Sequence, residues 1–174
     1  MEKRKYKFDW GVITGNLENA RPNIGLNTRI EVYRLFQFTL RDVLEQRYGA
    51  DQTDDMFREA GFIAGREFFK NFCGNCSSLP ELVTTLQASF KELGVGILRM
   101  ERADTEKMHF VLTVEEDLDC SGMPDTEEQI CVYDEGFIKG ILDSFTGTAF
   151  SVKEVDCWCT GARTCRFSAE KMEG

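Results

Sequence analysis

The apolar residues of this chain change their spacing near residue 94, and this change constrains the fold more than any other feature of the sequence. Before that point apolar side chains such as Tyr33 and Phe36 recur every three or four residues, which is typical of amphipathic helices. From Met108 to Val114 every second residue is apolar, which predicts a strand. Helices are therefore predicted over residues 28–49, 53–72 and 79–93, and strands over 95–100 and 108–114.

The rest of the chain predicts one more helix and a terminal hairpin. Thr126 and Gln129 have the spacing of a capping box, so we expect the fourth helix to begin at Thr126 and to end at Gly147. The hairpin strands are predicted over 148–158 and 164–168. Near the N-terminus, Phe8 and Trp10 predict a short edge strand or arm. The fold class is therefore α+β, with N-terminal helices packed on an antiparallel sheet, in one domain over residues 1–174.

The charge of the chain restricts its partners. A formal net charge of -9 repels phosphate backbones and anionic lipid headgroups, so we expect no nucleic acid and no membrane as partner. No apolar run approaches the ~20 residues that span a bilayer, and the basic opening lacks the apolar core of a secretory signal. These features predict a soluble, cytoplasmic protein.

Cysteine is the most informative residue type here. The chain has seven cysteines, an odd number that cannot pair completely, and three of them lie in the stretch EVDCWCTGARTCRF, residues 154–167. In a reducing compartment such clusters are more often metal ligands or redox thiols than disulfides. Cys73 and Cys76 form a separate CxxC, which on its own is a weak signal for a zinc knuckle or a redox pair.

The terminal hairpin predicts which thiols meet. With a three-residue loop at Thr160–Ala162, Cys157 and Cys165 lie opposite each other on one face of the ribbon. Glu154 would point to the other face unless a bulge near Asp156 turned it round. Geometry alone therefore predicts two ligands and leaves the others open among Glu154, Cys159, Cys131, Cys120, Cys73 and Cys76.

The tail resembles a known family. EVDCWCTGARTCRF, preceded by ICVYDEGFIKGILDSFTGTAFSVK, is similar to the 4-vinyl-reductase domain family, whose tail has an acid, a Cys three later, a turn Gly and then Cys-Arg-Phe. The segments FDWGVI, NTRIEVYRLF and AGFIAGREFF fit as well, so the resemblance spans about residues 6–170. The family includes hydrocarbon-binding proteins and phenol-sensor-type ligand-binding domains.

This resemblance implies a metal site and a homodimer. In the phenol sensors three Cys and one Glu hold a zinc ion, and the matching positions here are Cys131, Glu154, Cys157 and Cys165. A closed site of this kind implies a structural Zn²⁺ that staples the fourth helix to the C-terminal hairpin and activates no water. The phenol sensors dimerise through this kind of domain, which implies a homodimer here.

Two further patterns concern the interior. The 14 phenylalanines and six methionines supply soft apolar surface for a ligand pocket between helices and sheet. The residues predicted to line it are Phe62, Phe68, Met100, Met108, Phe110 and Phe137. Paired glycines inside two helices, Gly61 with Gly65 and Gly136 with Gly140, predict close helix packing, within the chain or across a dimer interface.

These observations predict a binding module that holds a small hydrophobic molecule as sensor or carrier, with its output passing through a separate signalling or enzyme partner. One alternative is an enzyme or accessory protein in tetrapyrrole vinyl reduction. The other is an interaction scaffold. Catalysis is not the favoured reading, because His109 is the only histidine and no Gly-rich phosphate loop follows a strand.

Overall fold

The computed structural model of the chain describes residues 4–173, and within them no helix is long and apolar enough to cross a membrane. The chain divides into two compact units, one ending at Thr39 and the other beginning at Leu40. The prediction of one domain over residues 1–174 stays a prediction.

The first unit contains two short helices, α1 (Trp10–Thr14) and α2 (Leu17–Ala20), and the beginning of α3 (Ile30–Tyr48), which continues into the second unit. Asp9 caps α1 by accepting a hydrogen bond of 2.8 Å from the Gly11 amide. The edge strand predicted around Phe8 and Trp10 is therefore wrong, because this cap starts a helix at Trp10. The alternative of an arm stays a prediction.

The second unit contains three long helices after the end of α3. They are α4 (Ala50–Phe68), which continues as a π-helical turn (Phe69–Cys73), α5 (Leu79–Leu93) and α6 (Val132–Thr146). Ser78 caps α5 by accepting from the Glu81 amide, and Gly94 closes it with a φ of 69°. These bounds confirm the predicted helices except for the start of α6.

The predicted start of the fourth helix at Thr126 is wrong, since α6 begins at Val132. The Thr126 hydroxyl does accept from a nearby amide, that of Glu128, at 3.4 Å. However, the Thr126 amide donates to the Cys159 carbonyl at 2.6 Å. Thr126 is therefore bound to the turn after β3 and does not open a helix.

The sheet has four antiparallel strands in the order β1-β2-β4-β3. The strands are β1 (Ile97–Asp104), β2 (His109–Glu115), β3 (Phe150–Asp156) and β4 (Cys165–Lys171). Buried side chains such as Leu112 and Phe167, which are register partners, form the inner face. Helix α5 packs on β1 and α6 packs on β3, which confirms the α+β class.

The hairpin of β3 and β4 contains the predicted bulge. Glu154 alternates with Phe150 and Val152 on the buried side of the sheet. The register shifts between Glu154 and Asp156, and Cys157 is thereby buried on the same side as Glu154. The predicted three-residue loop is wrong, because residues 157–164 connect the strands and include a 3₁₀ turn (Trp158–Thr160). Gly161 follows this turn with a φ of 90°, which favours glycine.

The paired glycines mark the contact between α4 and α6. A Cβ on Gly61 would lie 2.0 Å from the Tyr133 carbonyl oxygen, and one on Gly65 would lie 2.1 Å from that of Phe137. Glycines in helix interiors cost about 1 kcal/mol each relative to alanine, and the close backbone approach offsets this cost. The predicted close packing is therefore confirmed within the chain.

Candidate metal centre

Four cysteines form a buried group, which we call the four-sulfur cluster. Its members are Cys120, Cys131, Cys157 and Cys165, whose sulfur atoms all lie within 4.8 Å of one another. All four side chains are fully buried and free of disulfides. The cluster brings together the three cysteines among the predicted ligands and adds Cys120, one of the cysteines that spacing alone left open.

Each member comes from a different segment of the second unit. Cys165 is the first residue of β4, and Cys157 directly follows β3. Cys131 is the residue before the first turn of α6, and Cys120 lies in the connection between β2 and α6. An ion bound to all four sulfurs would join two strands, a helix and a long loop.

The two sulfur–sulfur distances from Cys131 match one tetrahedral ion, whereas the distance between Cys120 and Cys165 is shorter than the ideal. Sulfurs bound to zinc at about 2.3 Å stand about 3.8 Å apart in an ideal tetrahedron. The Cys131 sulfur lies 3.9 Å from that of Cys157 and 3.7 Å from that of Cys165, while Cys120 and Cys165 are 3.1 Å apart. An iron–sulfur cluster places several irons and sulfides between its cysteines and would need a wider arrangement.

Asp117 fixes the position of Cys120. Its Oδ1 accepts from the amides of Asp119 at 2.8 Å and Cys120 at 3.1 Å, and this turn directs the loop into the interior. Burial, followed by the nearby charge of Asp119, raises the pKa of Asp117 to about 7. The loop is therefore held by side-chain hydrogen bonds that reach the cluster itself.

Glu154, the fourth predicted ligand, lies beside the cluster. Its Oε2 accepts a hydrogen bond of 3.2 Å from the Cys131 amide, and its Oε1 is buried without a hydrogen-bond partner. Burial, and then the negative charge of Cys157, raise the pKa of Glu154 to about 8. An unpaired buried carboxylate oxygen is costly, and a cation in the cluster would satisfy it.

Glu135 of α6 holds the bulged strand in place. Its Oε1 accepts from the Glu154 amide at 2.9 Å, and its Oε2 accepts from Arg58 Nε at 2.6 Å and Lys153 Nζ at 3.5 Å. The carboxylate is buried, so these partners are needed to satisfy it. Glu135 thereby joins α4, α6 and β3 next to the cluster.

The connection between β2 and α6 is also held from the other side. Trp158 Nε1 donates to the Met123 carbonyl at 3.1 Å. Arg163 binds Asp125 through two hydrogen bonds of 2.7 and 3.1 Å, and its guanidinium lies 5.0 Å from the Trp158 ring centre. These contacts close the cluster from solvent.

The thiols of the cluster perturb one another. Hydrogen bonds from the neighbouring sulfurs, that of Cys120 first, lower the pKa of Cys157 and raise the pKa values of Cys131 and Cys165. The thiols therefore share protons through sulfur–sulfur hydrogen bonds. A divalent cation would replace these shared protons by binding all the sulfurs as thiolates.

The basic residues near the cluster in sequence are engaged elsewhere. Lys153 contacts Glu135, Arg163 binds Asp125, and Arg166 binds Glu101 at 2.8 and 3.1 Å. Carboxylates also approach the cluster, since Asp117 and Asp134 place an oxygen each within 4.8 Å of the Cys131 sulfur and of each other. The surroundings are therefore acidic, which favours a cation.

The three remaining cysteines lie outside the cluster. Cys159 is buried and interacts with Cys157, and burial raises its pKa to about 12. Cys73 and Cys76 lie in the helical half of the unit, at the end of the π-helical turn.

The predicted pocket residues lie in several places. The Phe68 and Phe137 rings are 5.2 Å apart, and both contact Phe90, at 6.1 and 5.9 Å. Phe110 pairs with Phe150 at 5.7 Å. The other three predicted residues are only partly buried. Phe62 lies under the cationic groups of Lys139 and Arg66. Met100 belongs to β1, and Met108 lies in the turn before β2.

Two cavities lie away from these six residues. One of about 360 Å³ is in the first unit, between Ile13 and Leu26. The other, of about 150 Å³, lies between Lys91, Ile97 and Glu116. The predicted pocket therefore stays a prediction. Of the six residues predicted to line it, Phe68 and Phe137 lie in one aromatic cluster.

Comparison with known proteins places this site in a family. The V4R domain model matches residues 110–171, which contain all four cysteines of the cluster and Glu154. A relative is the uncharacterised protein MJ1642 of Methanocaldococcus jannaschii, which is 23% identical over 150 residues, or 86% of this chain and 82% of that protein.

Two solved structures share the fold at low identity. The phenol-responsive sensory domain of the transcription activator PoxR, solved with phenol, has a TM-score of 0.68 at 16% identity, covering 83% of this chain and 75% of that one. A vinyl-4-reductase family protein from Methanocaldococcus jannaschii has a TM-score of 0.62 at 16% identity, covering 99% and 100%. The resemblance predicted from the cysteine-rich tail is confirmed, since residues 110–171 of this chain match the V4R domain.

Proposed function

We propose that the chain is a binding module that holds a small hydrophobic molecule, as sensor or carrier, on a V4R fold stapled by a metal ion. The observation that carries this proposal is the likeness of its fold to the PoxR sensory domain, which was solved with phenol. A shared fold does not determine the ligand. The side chains of the interior must therefore indicate which kind of ligand binds and where.

The aromatic cluster around Phe68 is the part of the interior best suited to such a ligand. Phe68, Phe90 and Phe137 belong to α4, α5 and α6, and their rings meet edge to face or tilted. Phe72 stacks on Phe68 at 4.5 Å and is 41% exposed, so the cluster reaches the surface at this ring. A small aromatic molecule inserted here would meet ring faces and edges on several sides.

Binding of phenol or toluene tests this assignment. Phe137→Leu is expected to weaken binding of either probe by about tenfold, because one aromatic contact is worth about 0.5–1.5 kcal/mol. Phe145→Leu, on the same helix but paired with Phe69, is the matched control and should bind like the wild type. Titration calorimetry measures both, and equal weakening by the two variants would contradict this location.

Native mass spectrometry of the purified protein tests the ligand and the predicted homodimer together.

The proposed homodimer is supported by apolar side chains that are at least 40% exposed in the second unit. They include Leu40, Val43, Met56 and Ile63 of α3 and α4. A dimer that releases a small apolar molecule on denaturation is the expected result. Turnover of a vinyl tetrapyrrole with a reductant would instead favour the enzyme, and a pocket with nothing exchangeable would favour the scaffold.

We propose that Cys131, Cys157 and Cys165 bind the metal ion and that it is zinc. Thiolate donors favour zinc over magnesium or calcium, and a closed tetrahedral site gives the ion a structural role. When bound, the ion would neutralise the charge of the thiolates and link the segments that carry them. The carboxylates of the protein would orient the ligands.

The fourth ligand has two candidates, Cys120 from the cluster and Glu154 from the family resemblance. Because five donors surround a site for four, either single variant, Cys120→Ser or Glu154→Gln, is expected to keep about one equivalent of zinc, whereas the double variant loses most of it. Elemental analysis measures the zinc content. The cobalt-loaded wild type and Cys120→Ser then report the number of thiolates by their charge-transfer absorption. Complete metal loss in one single variant would show that its residue alone fills the position.

A further inference from the structure

The CxxC of Cys73 and Cys76 lies outside the metal centre, and its geometry suits a bond between the two sulfurs. The Cys76 amide donates to the Cys73 carbonyl at 2.9 Å, which closes a four-residue turn through Gly74 and Asn75. Such turns hold their first and last Cα atoms within about 7 Å, and disulfides span about 4.4–6.8 Å between Cα atoms. The two side chains are also close enough for Cys76 to raise the pKa of Cys73.

The two thiols differ in accessibility. Cys73 ends the π-helical turn and is fully buried, whereas Cys76 is partly exposed. The Cys76 sulfur lies 3.5 Å from the Thr85 hydroxyl on α5, which can donate to a thiolate. Burial, and then the charge of Cys76, raise the pKa of Cys73 to about 12. Cys76 is therefore the thiol that meets a reagent from solvent, and Cys73 stays protonated next to it.

We propose that Cys73 and Cys76 are a reversible redox pair, which a small-molecule disulfide of the glutathione type oxidises through Cys76. The Cys76 thiolate attacks one sulfur of the small disulfide, whose sulfur–sulfur bond breaks and releases the first small thiol. The Cys73 sulfur, after giving its proton to solvent, attacks Cys76 and releases the second small thiol. Two protein thiols are thus oxidised and one small disulfide is reduced to two thiols.

This reaction would fix a segment next to the aromatic cluster. Phe72 precedes Cys73 directly and stacks on Phe68, so a bond from Cys73 to Cys76 restrains the turn that carries this ring. The oxidation itself does not depend on the proposed function, because it needs only the two sulfurs and a small disulfide.

Redox titration of the zinc-loaded full chain tests the proposal. After equilibration with graded ratios of oxidised to reduced glutathione, the remaining thiols are alkylated and the chain is cut with trypsin. Cys73 and Cys76 are the only cysteines of the tryptic peptide 71–91. The expected result is the loss of two alkylatable thiols per chain from this peptide, as an internal disulfide, while the cysteines of the metal centre stay reduced.

Two variants serve as controls. Cys159→Ser is expected to leave the transition of peptide 71–91 unchanged, and Cys76→Ser is expected to leave Cys73 unmodified because it is buried. Should Cys76→Ser fail to fold, the wild-type peptide map decides alone. Three results would each overturn the proposal: full alkylation at the most oxidising ratio, arrest at a mixed disulfide on Cys76, or oxidation of the metal centre at the same ratio.

Discussion

Replacing Cys165 by serine is expected to remove about one equivalent of zinc and to lower the free energy of unfolding by about 4 kcal/mol in the presence of the metal. This value corresponds to an ion present at about a thousand times its dissociation constant for the native state. Cys165 lies 3.1 Å from Cys120 and 3.7 Å from Cys131. It is one of the three ligands common to both proposed ligand sets, and only the fourth position, open to Cys120 or Glu154, has an alternative donor. Elemental analysis and denaturant unfolding, with and without a chelator, measure the two effects.

Cys159→Ser is the matched control for this experiment. Cys159 is as buried as Cys165 and two residues from Cys157, but it lies outside the four-sulfur cluster. It should keep its zinc and lose only the stability that one polar atom in a buried site costs, about 1–3 kcal/mol. With a chelator, the free energy of unfolding of the wild type should fall towards that of Cys165→Ser, because the bound metal accounts for the difference between the two proteins. Full zinc content in Cys165→Ser would contradict the assignment of the centre.

The sequence could predict the hairpin and its bulge because both depend on local rules. Strand alternation placed Cys157 and Cys165 together, and placing Glu154 on the same face as Cys157 required an extra residue near Asp156, where the register does shift. The exposed connection was less predictable. The turn at residues 157–164 forms a 3₁₀ helix bound to Thr126 and Met123, residues more than 30 positions away.

Cys120 shows why part of the centre could not be predicted. Its spacing to Cys131 matches no simple ligand pattern, and it reaches the cluster only because Asp117 turns the loop with two hydrogen bonds. The DLDC segment, an Asp three residues before a Cys, was the available local signal. The pocket was harder still, since Phe68 and Phe137 meet only through the contact of α4 with α6.

The contact of α4 with α6 is the basis of the second large effect. Gly61→Ala is expected to lower the free energy of unfolding by about 3 kcal/mol, which is the upper end of what overpacking a core usually costs. The new methyl carbon would lie 2.0 Å from the Tyr133 carbonyl oxygen and 3.0 Å from the Phe137 amide nitrogen. Both atoms belong to the backbone of α6 and cannot rotate away, so the two helices must separate. Ring contacts of Phe137 with Phe68 and Phe90 would be lost as α6 moves.

The sign of this result separates packing from helix propensity. In an isolated helix, alanine in place of glycine would stabilise by about 1 kcal/mol, so propensity alone predicts the opposite change. Glu59→Ala, two positions earlier on the exposed side of α4, controls for general effects of substitution in this helix and should stay within about 0.5 kcal/mol of the wild type. Denaturant unfolding of the zinc-loaded proteins measures both. A Gly61→Ala protein as stable as the wild type would mean that α4 and α6 do not touch through their backbones, and the position of Phe137 beside Phe68 would then lose its support.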